Sequence, residues 1–297
     1  MVDVSGLVPG RRPQRIVTLK DVPRENGSWL LEDHDGRVVL RRYHEGATPE
    51  DLAYEHAVLR HLAGAGWVVP EPVGELIRRD GCWYCLTRYV PGRGVAAETP
   101  AQRRRRGRDL ARLHLALRDL GPRLGQRPGF QAQHEGIAGH AGLDWEAGVS
   151  WLDEASPRLG AWARAAAAEA EAALAAIGAR ELPVMVVHGD FAEWNVHYER
   201  GRLAGVIDFG LTHLDSRPYE LAIARTYRAP EAIDAYRAEL ARLGWPLSEL
   251  EEAAIVPLYR SFRVGMTAWV MEDGRRTGDY DLGMIERQLG RTGTPPP

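Results

Sequence analysis

The sequence predicts an α+β protein in two lobes, a small β-rich lobe with one helix followed by a larger, mostly α-helical lobe. Three observations carry that prediction. The first ninety or so residues fall into short strand-like runs divided by turn residues, with one capped helix among them. The stretch PGRG, Pro91 to Gly94, then interrupts the chain with residues that punctuate regular structure. Beyond it, apolar residues recur mainly at helical spacing. The expected division is residues 1–92 for the small lobe and 93–297 for the large one.

The elements follow in order. RIVTLK and SWLLED read as strands, DHDG as a hairpin turn, and RVVLRRY as the returning strand. Thr48 and Pro49 suit an N-cap and first helical position, with Asp51 at the capping-box place. The helix they open ends in glycines near Gly64 and Gly66. VPEPVGELI and CWYCLTRYV, joined by the turn RDG, add two strands. Thr99 and Pro100 open a helix whose stripe is Leu110, Leu113, Leu117 and Leu120. After a loose Gly-rich stretch come two helices, LDWEAGVSWLDEA and an Ala-rich one with Trp162, Leu174 and Ile177 on its buried side. LPVMVVHGD, NVHYER and LAGVIDFG are short strands joined by turns. Helices then run to RTGTPPP, which reads as a frayed tail.

Composition removes several classes. A formal charge of −3 over 297 residues offers no field for nucleic acid or an anionic membrane. No apolar run approaches the roughly 20 residues of a membrane helix, and MVDVSGLVPGRRPQ lacks the apolar core of a secretory signal. Two cysteines make no disulfide framework, so a cytoplasmic location is expected. Cys82 and Cys85 lie three apart on a strand, facing opposite sides, which argues against a redox or metal pair. The run Arg103 to Arg106 reads as a solvated helix face.

The chemistry concentrates in HGDFAEWN, His188 to Asn195, and in DFG, Asp208 to Gly210. Phosphoryl transfer needs a carboxylate beside the attacking hydroxyl, for which Asp190 is the candidate. It also needs hard oxygen ligands for magnesium, for which Asn195 and Asp208 are the candidates. A hairpin explains their spacing: Asn195 opens one strand, Asp208 closes the next, and the ERG turn brings the two ends together. His188 is expected to hold the loop by hydrogen bonds rather than to act as a base.

These motifs resemble those of the aminoglycoside phosphotransferase family, which also holds homoserine kinase-like and choline kinase-like enzymes. HGDFAEWN resembles the catalytic loop, with His-Gly-Asp where protein kinases have His-Arg-Asp, and GVIDFG resembles the metal-binding segment. DLARLHLAL and YELAIA resemble the helix after the hinge and the segment after the metal-binding Asp. The resemblance runs from about Glu25 to the Trp269 region. It implies the protein-kinase-like fold, with residues 1–92 as the nucleotide-binding N-lobe and 93–297 as the C-lobe carrying the catalytic loop, metal and acceptor sites. It also implies Mg2+, ATP or GTP as co-substrate, and transfer of the γ-phosphoryl to a small-molecule hydroxyl by a monomer or weak dimer.

In that fold a cation on the third strand pairs with a glutamate on the following helix. VVLR, Val38 to Arg41, fits the strand, with arginine where the protein-kinase pattern has lysine. Alternation puts Val39 and Arg41 on one face, Val39 to cover the base and Arg41 to reach the phosphates. Leu52, Glu55, Leu59 and Leu62 share one helix face, so Glu55 is either at its edge in water or paired with Arg41. No GxGxxG precedes the strand. DVPRENGSW takes its place, with Asn26, Gly27 and Ser28 either offering N–H groups to phosphate or forming an ordinary turn. The base is expected at the hinge backbone near Tyr89 and Val90. APE, Ala229 to Glu231, reads as a helix start rather than a protein-kinase signature.

For the acceptor, Glu193 and Trp194 inside the loop are the leading candidates. Asp144, Trp145, Trp151, Asp153, Glu154, Trp269, Glu272 and Asp273 would suit an amine-bearing molecule, or form a mixed solvated surface with tryptophan in the core. The main competing function is a kinase-fold nucleotide-binding regulatory protein with weak or no catalysis, motivated by Arg41 and the altered turn. A metal hydrolase built on His188 and Asp190 lacks a second histidine at ligand spacing.

Overall fold

The computed structural model describes residues 6–21, 26–137, 143–226 and 229–296. The chain forms β1 (Arg15–Lys20), β2 (Gly27–Asp33), β3 (Gly36–Arg42), α1 (Pro49–Gly64), β4 (Ile77–Arg79) and β5 (Cys82–Arg88). Then follow α2 (Pro100–Leu117), α3 (Gly121–Leu124), α4 (Trp145–Ala155), α5 (Pro157–Ala176), β6 (Val184–Val187), β7 (Val196–Glu199) and β8 (Arg202–Val206). β9 (His213–Ser216), α6 (Arg217–Thr226), α7 (Pro230–Arg242), α8 (Glu249–Thr277) and α9 (Leu282–Leu289) complete it. Among the described residues, no helix is long and apolar enough to cross a membrane. Two compact units emerge, Met1–Ala97 with Glu193–Gly210, and Glu98–Ala192 with Leu211–Pro297. The β7–β8 hairpin thus belongs to the first unit.

The first unit is built on an antiparallel sheet of order β1-β2-β3-β5-β4. Alternation sorts its faces. Trp29, Leu31, Val38, Leu40, Tyr84 and Leu86 are buried in one cluster with Leu7 and Val8, while Val39 and Arg41 take the other side of β3. Thr48 caps α1 by accepting the Asp51 N–H at 3.2 Å. VPEPVGELI departs from the expected strand. Only Ile77–Arg79 pairs as a strand there, with an isolated bridge from Pro72 to Thr87, because Pro70 and Pro72 have no N–H to give a ladder.

In the second unit, Thr99 and Gln102 form a full capping box on α2. All four leucines of the expected stripe are buried, with Leu120 just past the end of α2. The Ala-rich α5 lies against α4, α8 and α9 through Trp162, Ala163, Ala166, Val264, Met271 and Leu289. β9, absent from the expected run of helices, pairs with β6. Its side chains His213, Asp215 and Ser216 are polar yet buried, so no apolar alternation announces it. α7 starts at Pro230, as the helix-start reading of APE requires. The terminus is docked rather than frayed: Trp162 Nε1 donates to the Thr294 carbonyl at 2.9 Å, and Thr294 Oγ1 donates to Glu169 at 2.6 Å.

Candidate active site

Within the first unit, a cavity of about 350 Å³ opens beside β3 and the hinge. Its walls include Val39, Pro70, Val90 and Ile207, which are flat or branched apolar groups suited to a ring system. Ser28, Thr87 and Tyr89 also border it, and Arg41 and Asp208 form its charged end. Val39, Arg41, Ser28, Tyr89, Val90 and Asp208 of the expected set therefore line one recess. Asn26 and Gly27 line it too, and Val22 to Glu25 of the same expected turn lie outside the described residues. Lys20 and His197 also face the cavity and were not anticipated. Burial holds the His197 imidazole below its ordinary range, although hydrogen bonds to the Pro91 and Val90 carbonyls pull the other way.

Glu55 is not at a wet edge. It is 1% exposed and accepts from Arg41 Nη1 at 2.9 Å. Burial alone lowers an arginine's affinity for its proton, but the Glu55 carboxylate, with Tyr43 and Asp208, outweighs it and raises the pKa of Arg41. The guanidinium also lies over the Tyr43 ring at 4.9 Å and 3.7 Å from the Asp208 carboxylate. Arg41 is thus a fixed, permanently charged group at the cavity's end.

Asp208 and Asn195 flank the β7–β8 hairpin. The Ile207 N–H donates to the Asn195 carbonyl at 2.9 Å, extending the ladder one step and holding the two ends side by side. Arg200 and Gly201 turn the hairpin with φ of 47° and 74°. Asp208 itself has φ of 62°, a left-handed conformation that costs an aspartate energy and clusters at functional sites. Its carboxylate is half-exposed, whereas Asn195 is buried. A carboxylate and an amide oxygen held together make a donor set that fits magnesium. Glu193 is half-buried and Trp194 is exposed, both just ahead of Asn195.

Asp190 belongs to the second unit, where its neighbours are tied down from both directions. Glu220, on α6, is 2% exposed and receives the N–H groups of His188 at 3.1 Å and Gly189 at 2.9 Å. His114 Nε2 donates to the same carboxylate at 2.8 Å, and its Nδ1 lies 2.7 Å from the Tyr236 hydroxyl. Burial raises a carboxyl pKa, but His114 and the backbone donors outweigh it and hold Glu220 below its ordinary value. The Asp190 N–H donates to His188 Nδ1 at 3.1 Å, so His188 does hold the loop. Gly189 has φ of 87°, and a Cβ there would meet the Leu211 carbonyl at 2.1 Å, so only glycine fits. On the far side, Arg106 Nη1 donates to the Phe191 carbonyl at 3.0 Å.

That last contact corrects the reading of the arginine run. Arg106 is 2% exposed and forks onto Glu98, while Arg103 pairs with Glu231 at 3.2 Å. Only part of the run is solvated, because α2 carries it around from an exposed face to a buried one. Nothing in the sequence pattern gave Glu220, His114 or Arg106 a role, although YELAIA and DLARLHLAL, two of the segments that carry the family resemblance, hold the first two. Several acceptor candidates have structural roles: Asp144 caps α4, Asp153 pairs with Arg164, and Trp151 stacks on Tyr280 at 3.6 Å. The cysteines are free, and burial pushes the Cys85 thiol up to about 11, out of the reactive range.

Comparison with known proteins agrees with this geometry. Residues 20–254 match the phosphotransferase enzyme family. The homoserine kinase of Phenylobacterium zucineum (strain HLK1) is 30% identical over 78% of this chain and 72% of its own. A thermostable mutant of aminoglycoside phosphotransferase APH(4)-Ia, solved in ternary complex with AMP-PNP and hygromycin B, shares the fold with a TM-score of 0.69 at 16% identity. That match covers 96% of this chain and 94% of the other. The GDP complex of aminoglycoside 2'-phosphotransferase-IIIa does so with a TM-score of 0.68 at 18% identity, over 97% and 96% of the two chains. A protein-kinase-like fold, the HGD and DFG segments and a match over most of the sequence agree: the chain belongs to the phosphotransferase enzyme family and is a small-molecule kinase.

Proposed function

We propose that the protein transfers the γ-phosphoryl group of ATP or GTP to the hydroxyl of a small amine-bearing acceptor, with homoserine the leading candidate. The nucleotide reading rests above all on the cavity whose charged end gathers Arg41, buried on Glu55, with Asp208 at 3.7 Å. Val39 and Val90 cover the base, and the hinge backbone near Tyr89 and Val90 provides its hydrogen bonds. Arg41 neutralises phosphate charge, and Ser28 borders the same end of the cavity. Asn195 and Asp208 would hold Mg2+, which when bound offsets charge on the phosphates. Asp190 takes the proton of the acceptor hydroxyl as the oxygen attacks the γ-phosphorus, and the nucleoside diphosphate leaves. Glu193 and Trp194 are assigned to the acceptor, carboxylate and indole both favouring an ammonium group. The choice of homoserine rests on the homoserine kinase relative.

Arg41 in place of lysine keeps a second reading in view, a nucleotide-binding protein with little catalysis. Phosphate transfer measured with ATP and GTP over homoserine, amino alcohols and aminoglycosides separates the two. The kinase reading expects magnesium-dependent turnover on at least one acceptor, and thermal stabilisation by nucleotide only with magnesium. Asp208→Asn keeps a side chain that tolerates the left-handed backbone while removing the charge. It should lower turnover by at least about 10³-fold with the melting temperature unchanged. Full activity in that variant would overturn the metal assignment.

A further inference from the structure

The arginine run that reads as a solvated face hides a group with no part in the chemistry above. Arg106 is among the largest fully buried side chains of the protein, and its ion-pair partner Glu98 has 3% of its side chain exposed. Arg106 Nε and Nη2 both donate to Glu98, at 2.8–3.1 Å, and Nη1 donates to the Phe191 carbonyl at 3.0 Å. A buried ion pair is weak evidence for stability, because well-packed apolar side chains fill such a place equally well. What apolar side chains cannot supply is the donor at the carbonyl immediately after Asp190.

We infer that Arg106, oriented by Glu98, is a positioning residue that sets the Asp190 carboxylate by fixing the Phe191 carbonyl. The geometry supports this from three sides. The peptide leaving Phe191, one residue beyond Asp190, is held by Arg106, while the N–H groups of His188 and Gly189 before Asp190 are held by Glu220. The Phe191 side chain is buried and meets the His188 ring edge-on at 5.7 Å, so the carbonyl cannot swing by moving the ring. The guanidinium is a planar fork, and with one edge occupied by Glu98 its remaining nitrogen points in a fixed direction. Lysine in its place would have to choose between carboxylate and carbonyl.

This inference rests on Asp190 being the group that receives the hydroxyl proton, and its test keeps the two apart. Steady-state kinetics with the acceptor that supports turnover would be measured, alongside thermal unfolding, for Asp190→Asn, Arg106→Lys and the double variant Glu98→Leu/Arg106→Met. The double variant removes both charges together, so no lone ion is left buried. A displaced catalytic group costs up to about 10²-fold in rate. The double variant should therefore lose about that much kcat while its nucleotide KM stays within about threefold and it still melts cooperatively. Arg106→Lys should lose about tenfold in kcat at unchanged KM. If Asp190→Asn is inactive but both Arg106 variants keep kcat within about twofold, the positioning role is overturned. Arg106→Lys alone decides it should the double variant not fold. Full activity in Asp190→Asn would overturn the reading of Asp190 and this inference with it.

Discussion

Two glutamates, one in each unit, are almost completely removed from water and use their charge differently. Glu55 is 1% exposed and gives its charge to one side-chain cation, Arg41. Glu220 is 2% exposed and gives its charge mainly to backbone, the N–H groups of His188 and Gly189, with the His114 ring as a third donor. Both satisfy the rule that a buried carboxylate must be paired. The first arrangement aims a charge into a cavity. The second freezes the course of a loop. The difference predicts that damage at Glu55 is read in nucleotide affinity, and damage at Glu220 in fold and turnover.

The most severe break should come from Glu220→Gln. An amide cannot accept two N–H bonds on one side and a third on the other without presenting its own NH₂ to one of those donors. His114 would also lose its carboxylate partner in a fully buried site. Removing one member of a buried pair costs about 3–5 kcal/mol, so denaturant unfolding should show that loss. Turnover of the folded fraction should fall as well, while nucleotide affinity holds. Glu55→Gln should reverse the pattern. Nucleotide KM should rise about tenfold with a smaller stability loss, since Arg41 keeps Asp208 within 3.7 Å. Equal effects of the two variants on KM would erase the distinction.

The same contrast explains what was legible beforehand. Glu55 could be found because it interrupts an apolar stripe of Leu52, Leu59 and Leu62, and Arg41 stands on a strand of known alternation. The hairpin that brings Asn195 beside Asp208 was legible from two short runs and a turn. Arg106 was not, because one buried arginine within RRRR looks like its neighbours until the helix phase is known relative to Glu98. β9 was missed because its buried side chains satisfy one another: Asp215 accepts the Gln133 N–H at 2.7 Å and lies 3.3 Å from His213. The docked terminus depends on the Trp162 indole N–H and the Glu169 carboxylate meeting Thr294 from far back in the chain, pairings no local pattern encodes. Local periodicity exposes groups that contradict it. It conceals polar groups satisfied by distant parts of the chain.

A third test uses pH to sharpen the first unit's side of the comparison. His56 is buried, with its Nε2 2.7 Å from the Tyr43 hydroxyl. Burial, then Arg60 and Arg41, hold its pKa down at about 4, against 6.5 for an ordinary histidine. Between those values the unfolded chain binds a proton that the folded chain does not. Stability from this group is therefore full above about pH 6.5 and is lost as pH falls towards 4, reaching a loss of roughly 3 kcal/mol. Glu220, whose pKa is depressed, contributes in the same direction at lower pH, as its carboxylate becomes protonated in the unfolded chain first. Denaturant midpoints of wild type and His56→Gln across pH 4 to 7 should converge as the pH falls. Parallel curves would show that His56 titrates normally in the fold.

The smallest expected effect tests whether arginine is needed at position 41 or merely tolerated. Lysine keeps the positive charge and can reach Glu55, but it lacks the planar surface that lies over Tyr43 at 4.9 Å. It also lacks the second nitrogen that faces Asp208 while the first serves Glu55. One ammonium must then divide itself among a carboxylate, a ring face and the nucleotide phosphates. Arg41→Lys should raise nucleotide KM by about threefold to tenfold, with kcat within about threefold and the melting temperature nearly unchanged. An increase in kcat would mean that the fork holds the nucleotide in a less productive position than a point charge does. A large fall in kcat at constant KM would instead move Arg41 from binding towards the transition state, and narrow the contrast with Glu220 from which these tests began.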